Sequence, residues 1–335
     1  MVAAALGAKL QVLKTPANFN NDIGTPLTLL GLEAEHQAAV IETGMNHFGE
    51  IAYLGSMVRP DIAVISNIGD AHIEFLGSRE GILKAKCEIF EHLKPHGLAI
   101  LNGDDALLNT VSLPIRMVRC GQSEHCGVRI TEIDDHGVDG ITCTVETARC
   151  RYELITAAPG EYMAYPMAIA VAVGEELGLS REEITRGVAD YRPSGSRMRV
   201  IHLPQGRIIL DDCYNASPQS VAAALEVLAK TTCERKVAVL GDMGELGDLT
   251  EQAHYNMGAL AAMLGIDFLV AIGPKAVKIA DGAAQSGGAV LHFSTKEEAV
   301  AELREQLEPE TAMLIKASHA MHFEQLVEQL RGDYD

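Results

Sequence analysis

The chain has 335 residues, of which 47% are hydrophobic, and its formal net charge at pH 7 is -19. This length and apolar content are sufficient for two domains with ordinary cores. The acidic balance argues against a surface for nucleic acid or anionic membranes, because either would need a clustered basic face that the sequence lacks.

The cysteines and the apolar runs give no sign of an oxidising compartment or of a membrane span. The seven cysteines include no C-x-x-C pair, and the first residues do not resemble a secretory signal. No apolar run approaches the roughly 20 residues that cross a bilayer. We therefore expect a cytoplasmic protein without membrane insertion, and we expect a monomer.

The first part of the chain alternates short apolar runs with amphipathic stretches. Four runs predict strands, at residues 38–41, 62–65, 98–101 and 115–118. Amphipathic stretches such as residues 78–92 predict helices between them, and this alternation favours a parallel sheet covered by helices. Residues 1–192 are therefore predicted to form a first doubly wound α/β domain.

Within that domain, residues 127–158 change to short alternating segments separated by Asp-Gly turns, which predicts a small antiparallel β insertion. Helical patterns then cover residues 165–177 and 181–189. Residues 192–195 break the pattern with Pro and Gly, so we expect a hinge there.

The strand and helix alternation restarts after the predicted hinge. Predicted strands are residues 207–210, 236–240, 268–272, 290–293 and 313–316, and predicted helices include residues 218–230 and 250–264. Residues 193–335 should therefore form a second doubly wound domain. The predicted class is α/β, with two mainly parallel sheets.

Two segments of the second domain place polar side chains where an apolar run ends and a helical pattern begins. They are residues 211–218 and 240–247. Open α/β sheets hold phosphorylated ligands in the crevice at the carboxyl ends of their strands. The segments therefore predict a nucleotide site, although Asp211 and Asp212 could instead cap the helix that starts at Pro218.

The first domain has two candidates for metal ligands in equivalent places. Glu42 ends one apolar strand, and His72 follows the run at residues 62–68. Carboxylate and imidazole ligands around a Mg²⁺ ion that also contacts phosphates are usual in phosphoryl transfer. Spacing alone favours the alternative, in which Glu42 caps the next helix and His72 is a hydrogen-bonded turn residue.

Six segments together resemble the central and C-terminal domains of the Mur ligases. They occur in the expected order at residues 18–26, 40–46, 69–74, 84–89, 211–218 and 240–247. The resemblance is closest to the branch that adds D-alanyl-D-alanine to the UDP-N-acetylmuramoyl-tripeptide of peptidoglycan. It implies an ATP-dependent and Mg²⁺-dependent ligase.

The resemblance implies roles for first-domain residues. Glu42 and His72 become magnesium ligands, and Lys86 corresponds to the lysine that is carbamylated in many Mur ligases. Carbamylation converts a lysine to an anion that binds metal, and it requires the neutral amine, which burial and nearby cations favour. The alternative is that Lys86 is an ordinary surface lysine, for which Lys84 is the natural comparison.

Asn20 and Asn21 belong, by the same resemblance, to the muramyl-peptide and phosphate end of the site. Their amides can donate and accept, and the missing side chain of Gly24 would permit close backbone approach. An Asx-rich turn is the alternative interpretation.

In the second domain, Arg197 matches an arginine that the family brings to the ATP phosphates, a task suited to a permanently charged, forked donor. Asp212, Tyr214 and Asn215 would border the nucleotide. The alternative is that Arg197 has no ligand and is solvated, as is usual for a single arginine beside a hinge.

Residues 314–319 resemble the Lys-Gly-Ser-Arg stretch that helps hold the incoming amino substrate, which implies that role for Lys316 and Ser318. In this sequence Ala317 and His319 replace the Gly and the Arg. A histidine cannot form a bidentate fork with a carboxylate, so capture of the dipeptide carboxylate differs from the family pattern.

The sequence also departs from the family at the phosphates and the adenine. It contains no glycine-rich loop ending in Gly-Lys-Thr, and Tyr162 and Pro166 stand where the family has His and Asn. A strand of the parallel sheet would be missing with the loop, leaving its neighbours with unpaired backbone groups. We expect a fragment or an impaired form that binds Mg-ATP weakly by itself.

The predicted reaction joins D-alanyl-D-alanine to UDP-N-acetylmuramoyl-tripeptide through an acyl phosphate, with closure at residues 192–195 bringing Arg197 and Lys316 to the reactants. Two other functions remain open. One is another ligase of the superfamily, such as the enzyme that adds the third peptide residue or a folylpolyglutamate synthetase. The other is a non-catalytic binding or scaffold protein.

Overall fold

The computed structural model describes residues 1–193 and 195–334. The chain divides into two compact units. The first comprises residues 1–135, 140–157 and 161–192, and the second comprises residues 136–139, 158–160 and 193–335. The predicted hinge at residues 192–195 includes Ser194, which lies outside the described residues, so the hinge stays a prediction.

The first unit contains eight strands among the described residues. They are β1 (Val12–Lys14), β2 (Ala38–Val40), β3 (Ile62–Ile65), β4 (Leu98–Asn102), β5 (Arg116–Gly121), β6 (Val128–Asp135), β7 (Ile141–Glu146) and β8 (Arg151–Thr156). Strands β3 to β8 form one sheet in sequential order, parallel as far as β6 and antiparallel from β6 to β8. The predicted antiparallel segment therefore exists, and it extends the main sheet because β6 pairs with the end of β5.

Strands β1 and β2 pair in parallel as a separate two-stranded sheet. Within residues 1–193, no described strand pairs with the free edge of β2 or of β3. On β3, Val64 remains 39% exposed although its neighbours Ala63 and Ile65 are buried. The short strand β1 was not predicted from the sequence, because three residues are too few to show an alternation of apolar and polar side chains.

Seven α-helices of the first unit pack around these strands. They are α1 (Val2–Gly7), α2 (Gly24–Leu30), α3 (Glu50–Val58), α4 (Ile73–Leu76), α5 (Arg79–Cys87), α6 (Ala164–Glu176) and α7 (Arg181–Ala189). Helix α5 begins after Ser78, whose hydroxyl accepts a hydrogen bond from the Gly81 amide. The predicted helix over residues 78–92 continues beyond α5 as a 3₁₀ turn, Glu88–His92. Helix α6 is apolar on nearly all sides and is almost wholly buried.

The second unit is built on six strands. They are β9 (Arg199–Leu203), β10 (Arg207–Asp211), β11 (Arg235–Gly241), β12 (Phe268–Ile272), β13 (Val290–Phe293) and β14 (Thr311–Lys316). Their order across the sheet is β13-β12-β11-β14-β10-β9, and only β9 runs antiparallel to its neighbour. Strand β14 is buried along its whole length. The predicted class, α/β with two mainly parallel sheets, is confirmed.

Five α-helices cover the two faces of this sheet. They are α8 (Pro218–Lys230), α9 (Thr250–Met263), α10 (Val277–Gln285), α11 (Lys296–Gln306) and α12 (Glu324–Gly332). One face buries residues of α8, α9 and α10, and the other buries residues of α11 and α12. Helix α8 is capped by Ser217, not by the acidic pair, and Pro218 occupies its first turn. None of the helices in residues 1–193 and 195–334 has the length and apolar character that a membrane crossing requires.

The buried His254 holds the loop between β11 and α9 in place. The Met243 amide donates to His254 Nε2 at 2.9 Å, and His254 Nδ1 lies 2.7 Å from the Thr250 carbonyl oxygen. This pattern requires a neutral imidazole that carries its proton on Nδ1. Burial lowers the pKa of His254, and the Thr250 carbonyl and Asp242 oppose that effect.

Helices α9 and α10 approach closely because one of them has a glycine at the contact. A Cβ atom on Gly258 would lie 1.8 Å from the Ile279 carbonyl oxygen and 2.9 Å from the Ala283 nitrogen. Both obstacles are backbone atoms, so a side chain there would force the helices apart.

We predict that Gly258→Ala lowers the free energy of unfolding of the second unit by about 1–3 kcal/mol, the usual cost of overpacking. Urea denaturation followed by circular dichroism measures the change. Gly332→Ala is the control, because Gly332 is also helical and a Cβ atom there meets nothing within 4 Å. Equal stability of the two variants would show that the glycine does not set the α9–α10 distance.

We also predict that His254→Leu destabilises the second unit more at pH 8 than at pH 5. At neutral pH the variant leaves the Met243 amide without an acceptor, at a cost of about 1–3 kcal/mol. In the wild type, the folded state resists protonation while the unfolded state binds a proton near the ordinary histidine pKa. Wild-type stability therefore falls as the pH drops through that value, and the variant lacks this loss.

The measurement is urea denaturation at about pH 5 and about pH 8, the range in which histidines ordinarily titrate. His202→Leu, an exposed residue of β9, is the matched control. A wild-type to variant difference that is the same at both pH values would contradict the role of the neutral imidazole.

Candidate functional site

Polar side chains of the second unit gather where three neighbouring strands end. Strands β11, β14 and β10 are adjacent and parallel, so their carboxyl ends lie at one edge of the sheet. This edge brings together residues that are far apart in sequence, namely Asp212, Lys316 and Asp242.

Lys316 is bound inside the protein. Its Nζ lies 2.5 Å from Asp212 Oδ2 and 2.9 Å from the Asn215 carbonyl oxygen, and its side chain is only 2% exposed. The neighbouring carboxylate, Asp211, has its own cation, since Arg199 Nη2 lies 3.2 Å from Asp211 Oδ2. Each member of the predicted acidic pair is therefore neutralised by a different basic residue.

Arg197 lies on the surface beside this pair. Its guanidinium carbon is 3.7 Å from the centre of the Tyr214 ring, a cation–π contact. The flanking residues are both fixed to the β10 end: the Met198 amide donates to Asp212 Oδ1 at 3.0 Å, and the Tyr214 amide donates to the Ser196 carbonyl. The structure thus brings Arg197, Asp212 and Tyr214 together, as the sequence predicted, and their role at the nucleotide stays a prediction.

Ser318 connects β14 to the loop after β11. Its hydroxyl oxygen accepts from the Gly244 amide at 2.8 Å, and its amide donates to the Asp242 carbonyl at 3.1 Å. The hydroxyl hydrogen remains available to another acceptor. The exposed His319 ring lies 5.7 Å from the Tyr214 ring, centre to centre.

Asp242 has a structural function that the sequence analysis did not assign. Its Oδ1 accepts from the Lys275 amide at 3.0 Å and from the Ala276 amide at 2.7 Å, at the start of α10. A carboxylate at a helix N-terminus is favoured by the unpaired amides there. Gly273 makes room for it, since a Cβ atom at that position would meet Asp242 Oδ1 at 2.5 Å.

In the first unit, Glu42 is exposed just after β2. Its Oε1 accepts from Asn20 Nδ2 at 2.9 Å, and its amide donates to Thr15 Oγ1 at 2.8 Å. No other residue among 1–193 is seen to donate to its second carboxylate oxygen, so that oxygen can accept a further partner. Glu42 does not cap a helix: the first amides of α3 are bound by Glu88.

Asn20 and Asn21 both serve the local structure. Asn20 holds the Glu42 carboxylate, whereas Asn21 Oδ1 accepts from the amides of Ile23 and Gly24 and so caps α2. Gly24 is required by the chain itself, because a Cβ atom there would lie 2.3 Å from Phe19 Cα. The substrate-binding roles of the two asparagines stay predictions.

Lys86 and Lys84 differ clearly although both lie on α5. Lys86 Nζ donates to the Asn67 carbonyl at 2.8 Å, and burial lowers the pKa of Lys86 while Asp105 acts in the opposite direction. Lys84 is exposed, and its Nζ lies 5.4 Å from the centre of the Phe48 ring. The environment of Lys86 therefore makes its ammonium group easier to deprotonate than an exposed lysine.

The segment after β3 is fixed from several sides. Asp105 Oδ2 accepts from the Ile68 amide at 2.8 Å, and Arg79 Nη2 donates to the Ile68 carbonyl at 2.6 Å. His72 ends the segment in a left-handed backbone conformation, with φ of 66°, and its carbonyl accepts from the amides of Phe75 and Leu76, the last two residues of α4. His72 is a turn residue as well as a candidate ligand.

Glu88 is a second residue that sequence reasoning missed. Its carboxylate accepts from the Gly49 amide at 2.8 Å and from the Ala52 amide at 3.2 Å, at the start of α3. It thereby ties α3 to the end of α5, two residues beyond Lys86. In the sequence, Glu88 looks like an ordinary polar residue of an amphipathic helix. Only its contact with the distant start of α3 reveals the function.

Asp104 forms a further polar cluster at the ends of β4 and β5. It accepts from the amides of Gln122 and Ser123 and from the Tyr165 hydroxyl at 2.9 Å. Pro166 follows in the first turn of α6, where its missing amide costs nothing.

The predicted magnesium site of the first unit would need ligands from outside the protein. Residues 1–193 and 195–334 contain no group of three or more His, Cys, Asp or Glu side chains that could hold a metal. Mg²⁺ commonly takes only one or two protein carboxylates and completes its shell with water and phosphate oxygens. Glu42 has an oxygen that is available to such an ion, and the roles of Glu42, His72 and Lys86 as magnesium ligands stay predictions.

Comparison with known proteins identifies the family of this chain. Residues 1–174 match the Mur ligase middle domain, and residues 196–319 match the Mur ligase glutamate ligase domain. The UDP-N-acetylmuramoyl-tripeptide--D-alanyl-D-alanine ligase of Synechocystis sp. is 37% identical over 336 residues, which cover 99% of this chain and 71% of that protein.

Two solved structures are similar throughout the chain. MurF from Acinetobacter baumannii has a TM-score of 0.91 at 34% identity, covering 99% of this chain and 73% of that one. MurF ligase from Thermotoga maritima, solved in complex with ADP, has a TM-score of 0.87 at 26% identity, covering 99% of this chain and 76% of that one. The chain belongs to the Mur ligase family, with a middle domain followed by the C-terminal ligase domain.

Proposed function

We propose that this chain forms the ATP-dependent, catalytic part of a ligase that joins D-alanyl-D-alanine to UDP-N-acetylmuramoyl-tripeptide. The observation that carries the proposal is the gathering of Arg197, Tyr214, Asp212 and Lys316 at the carboxyl edge of the second sheet. The similar MurF enzymes support the same reaction class.

In the first step, ATP transfers its γ-phosphoryl group to the terminal carboxylate of the tripeptide. The bond between the γ-phosphorus and the ADP oxygen breaks, and a carboxylate oxygen forms the new bond to phosphorus. Negative charge is spread over the phosphoryl oxygens in the transition state. Arg197 can meet that charge with a forked set of donors, because its ring contact leaves the guanidinium N–H groups at the surface.

The first unit would supply the metal ligands. A bound Mg²⁺ would neutralise phosphate charge. Glu42 is oriented for this by Asn20, and burial lowers the pKa of Lys86, which eases formation of the neutral amine that carbamylation needs. His72 follows a segment held by Asp105 and Arg79, which would fix its position.

In the second step, the amine of D-alanyl-D-alanine attacks the acyl phosphate. A C–N bond forms, the C–O bond to phosphate breaks, and the amine loses a proton, which gives an amide, inorganic phosphate and ADP as the products of the two steps. Cationic side chains would stabilise the charge on the tetrahedral intermediate. His319 is exposed beside Tyr214, and its imidazole, unlike a guanidinium, cannot form a bidentate fork with the dipeptide carboxylate.

Two other functions would leave different signatures. Another ligase of the superfamily would use the same ATP chemistry with a different amino substrate. A binding or scaffold protein would bind a ligand without releasing phosphate.

We predict that a version of this protein that carries the Gly-Lys-Thr loop before residue 1 releases phosphate from ATP only when UDP-N-acetylmuramoyl-tripeptide and D-alanyl-D-alanine are both present. A panel of amino substrates that includes diaminopimelate, L-lysine and L-glutamate tests which amino substrate the enzyme selects.

Calorimetry of Mg-ATP on the 335-residue chain should show much weaker binding than on the loop-containing version. Phosphate release with L-glutamate would favour the folylpolyglutamate type, and binding without turnover would favour the scaffold.

We further predict that Glu42→Ala and Lys86→Ala each lower kcat in the loop-containing version by roughly 100-fold or more, the usual loss when a group that stabilises transition-state charge is removed. Lys84→Ala is the matched control on the same helix and should retain activity, since Lys84 is exposed. Mass spectrometry under bicarbonate would detect the carbamate on Lys86. Equal activity of the Lys84 and Lys86 variants would exclude the metal-ligand role.

A further inference from the structure

Lys316 is poorly placed to bind a diffusing substrate. It is the last residue of the central strand β14, and its side chain is 2% exposed. A buried ammonium group needs partners that replace its water shell, and this one has the Asp212 carboxylate and the Asn215 carbonyl. Both partners belong to the segment that follows β10.

The Asp212 carboxylate uses its second oxygen for a different purpose. Oδ1 accepts from the Met198 amide at 3.0 Å, whereas Oδ2 faces Lys316. Asp212 therefore joins the end of β14 to the segment that precedes β9. A charged acceptor makes a stronger hydrogen bond to an amide than a neutral acceptor does, so the Met198 contact depends on the carboxylate.

The Met198 amide needs this fixation because its backbone is unfavourable. Met198 has a φ of 51°, in the left-handed region that residues other than glycine rarely adopt. Its side chain is buried in the core of the second unit, so the backbone cannot relax without losing that packing. Arg197 immediately precedes Met198, and the Tyr214 amide holds Ser196 on the other side.

We propose that Lys316 is a positioning residue: it fixes Asp212, and Asp212 fixes Met198 so that Arg197 is held against Tyr214. The inference rests on the proposed function for the role of Arg197 toward ATP, and it replaces the expectation that Lys316 binds the amino substrate. Lys316 acts from inside the protein, two contacts away from the exposed guanidinium.

The kinetic test compares Lys316→Met with Lys278→Met in the loop-containing version. Lys278 is a matched control because it lies in the same unit but makes only exposed ion pairs, with Glu251 and Asp281. We expect Lys316→Met to lower kcat/KM for ATP by on the order of 100-fold, the loss that a misplacement of about 1 Å causes. The KM for D-alanyl-D-alanine should stay unchanged, and Lys316→Arg should restore part of the activity.

A double-mutant cycle separates this indirect action from a direct one. In an Arg197→Ala background, Lys316→Met should cause little further loss, because the group that it positions is already absent. Additive losses would overturn the proposal. A raised KM for D-alanyl-D-alanine with unchanged ATP parameters would also overturn it and would identify Lys316 as a substrate ligand.

Limited trypsin digestion of the 335-residue chain tests the link without any activity. Arg197 is exposed, and the hydrogen bond from the Met198 amide to Asp212 should protect the peptide bond that follows Arg197. Cleavage after Arg197, followed by mass spectrometry, should become faster in Lys316→Met by on the order of tenfold, because proteolysis follows the population of the locally open form. Lys278→Met should cleave at the wild-type rate.

Asp212→Asn provides a second variant if Lys316→Met does not fold. The carboxamide has the same shape but only one acceptor oxygen, so it cannot serve Lys316 and Met198 from separate oxygens. Faster cleavage after Arg197 in this variant supports the proposal, and wild-type cleavage overturns it. Absence of ligation in the wild-type enzyme would refute the proposed function alone, since the digestion still measures the positioning.

Discussion

The buried ion pair between Lys316 and Asp212 determines how the second unit presents its polar groups. The pair spans β14 and β10, two strands whose residues are about a hundred positions apart in sequence, at the edge where parallel strands end. Removing one member of such a pair leaves an uncompensated buried charge, which typically costs about 3–5 kcal/mol. By this proposal, the exposed Arg197, the half-buried Tyr214 and the loop before β9 depend on the pair for their positions.

Local neutralisation would allow a protein of net charge -19 to bind the anionic substrates proposed for it. Two adjacent carboxylates at the end of β10 would repel a polyphosphate if both were free. Arg199 pairs with one and Lys316 with the other, so neither carboxylate is left free to cancel the charge of the exposed Arg197. The field that a ligand meets is thus set by a few placed side chains, not by the overall charge.

In the first unit, side chains that bind backbone groups hold the candidate site loops in place. Asp105 and Arg79 bind the two sides of the Ile68 peptide unit, and Glu88 binds the first amides of α3. These contacts hold the loops after β2 and β3, where Glu42 and His72 lie. Pre-organised loops of this kind are what phosphoryl transfer requires, because catalysis there depends mainly on positioning and on fixed charge. The two units therefore reach ordered sites by different means, one through a buried ion pair and the other through side chains that bind the backbone.

The sequence by itself determined the elements with strong periodicity and the order of the motifs. Strands such as β3, β12 and β13 and helices such as α7 and α8 lie where the apolar patterns predicted them. Buried parallel strands need continuous apolar runs and amphipathic helices need apolar residues at a helical spacing, and both patterns are visible in the sequence. The short β1 and the edge strand β9 were missed, since three residues or one exposed face leave little pattern. The tertiary structure alone decided the partners: Lys316 faces Asp212, Asn21 caps α2, and Lys86 is buried while Lys84 is not. Those outcomes depend on contacts between segments that are distant in sequence and on burial, and no local pattern of residues contains either.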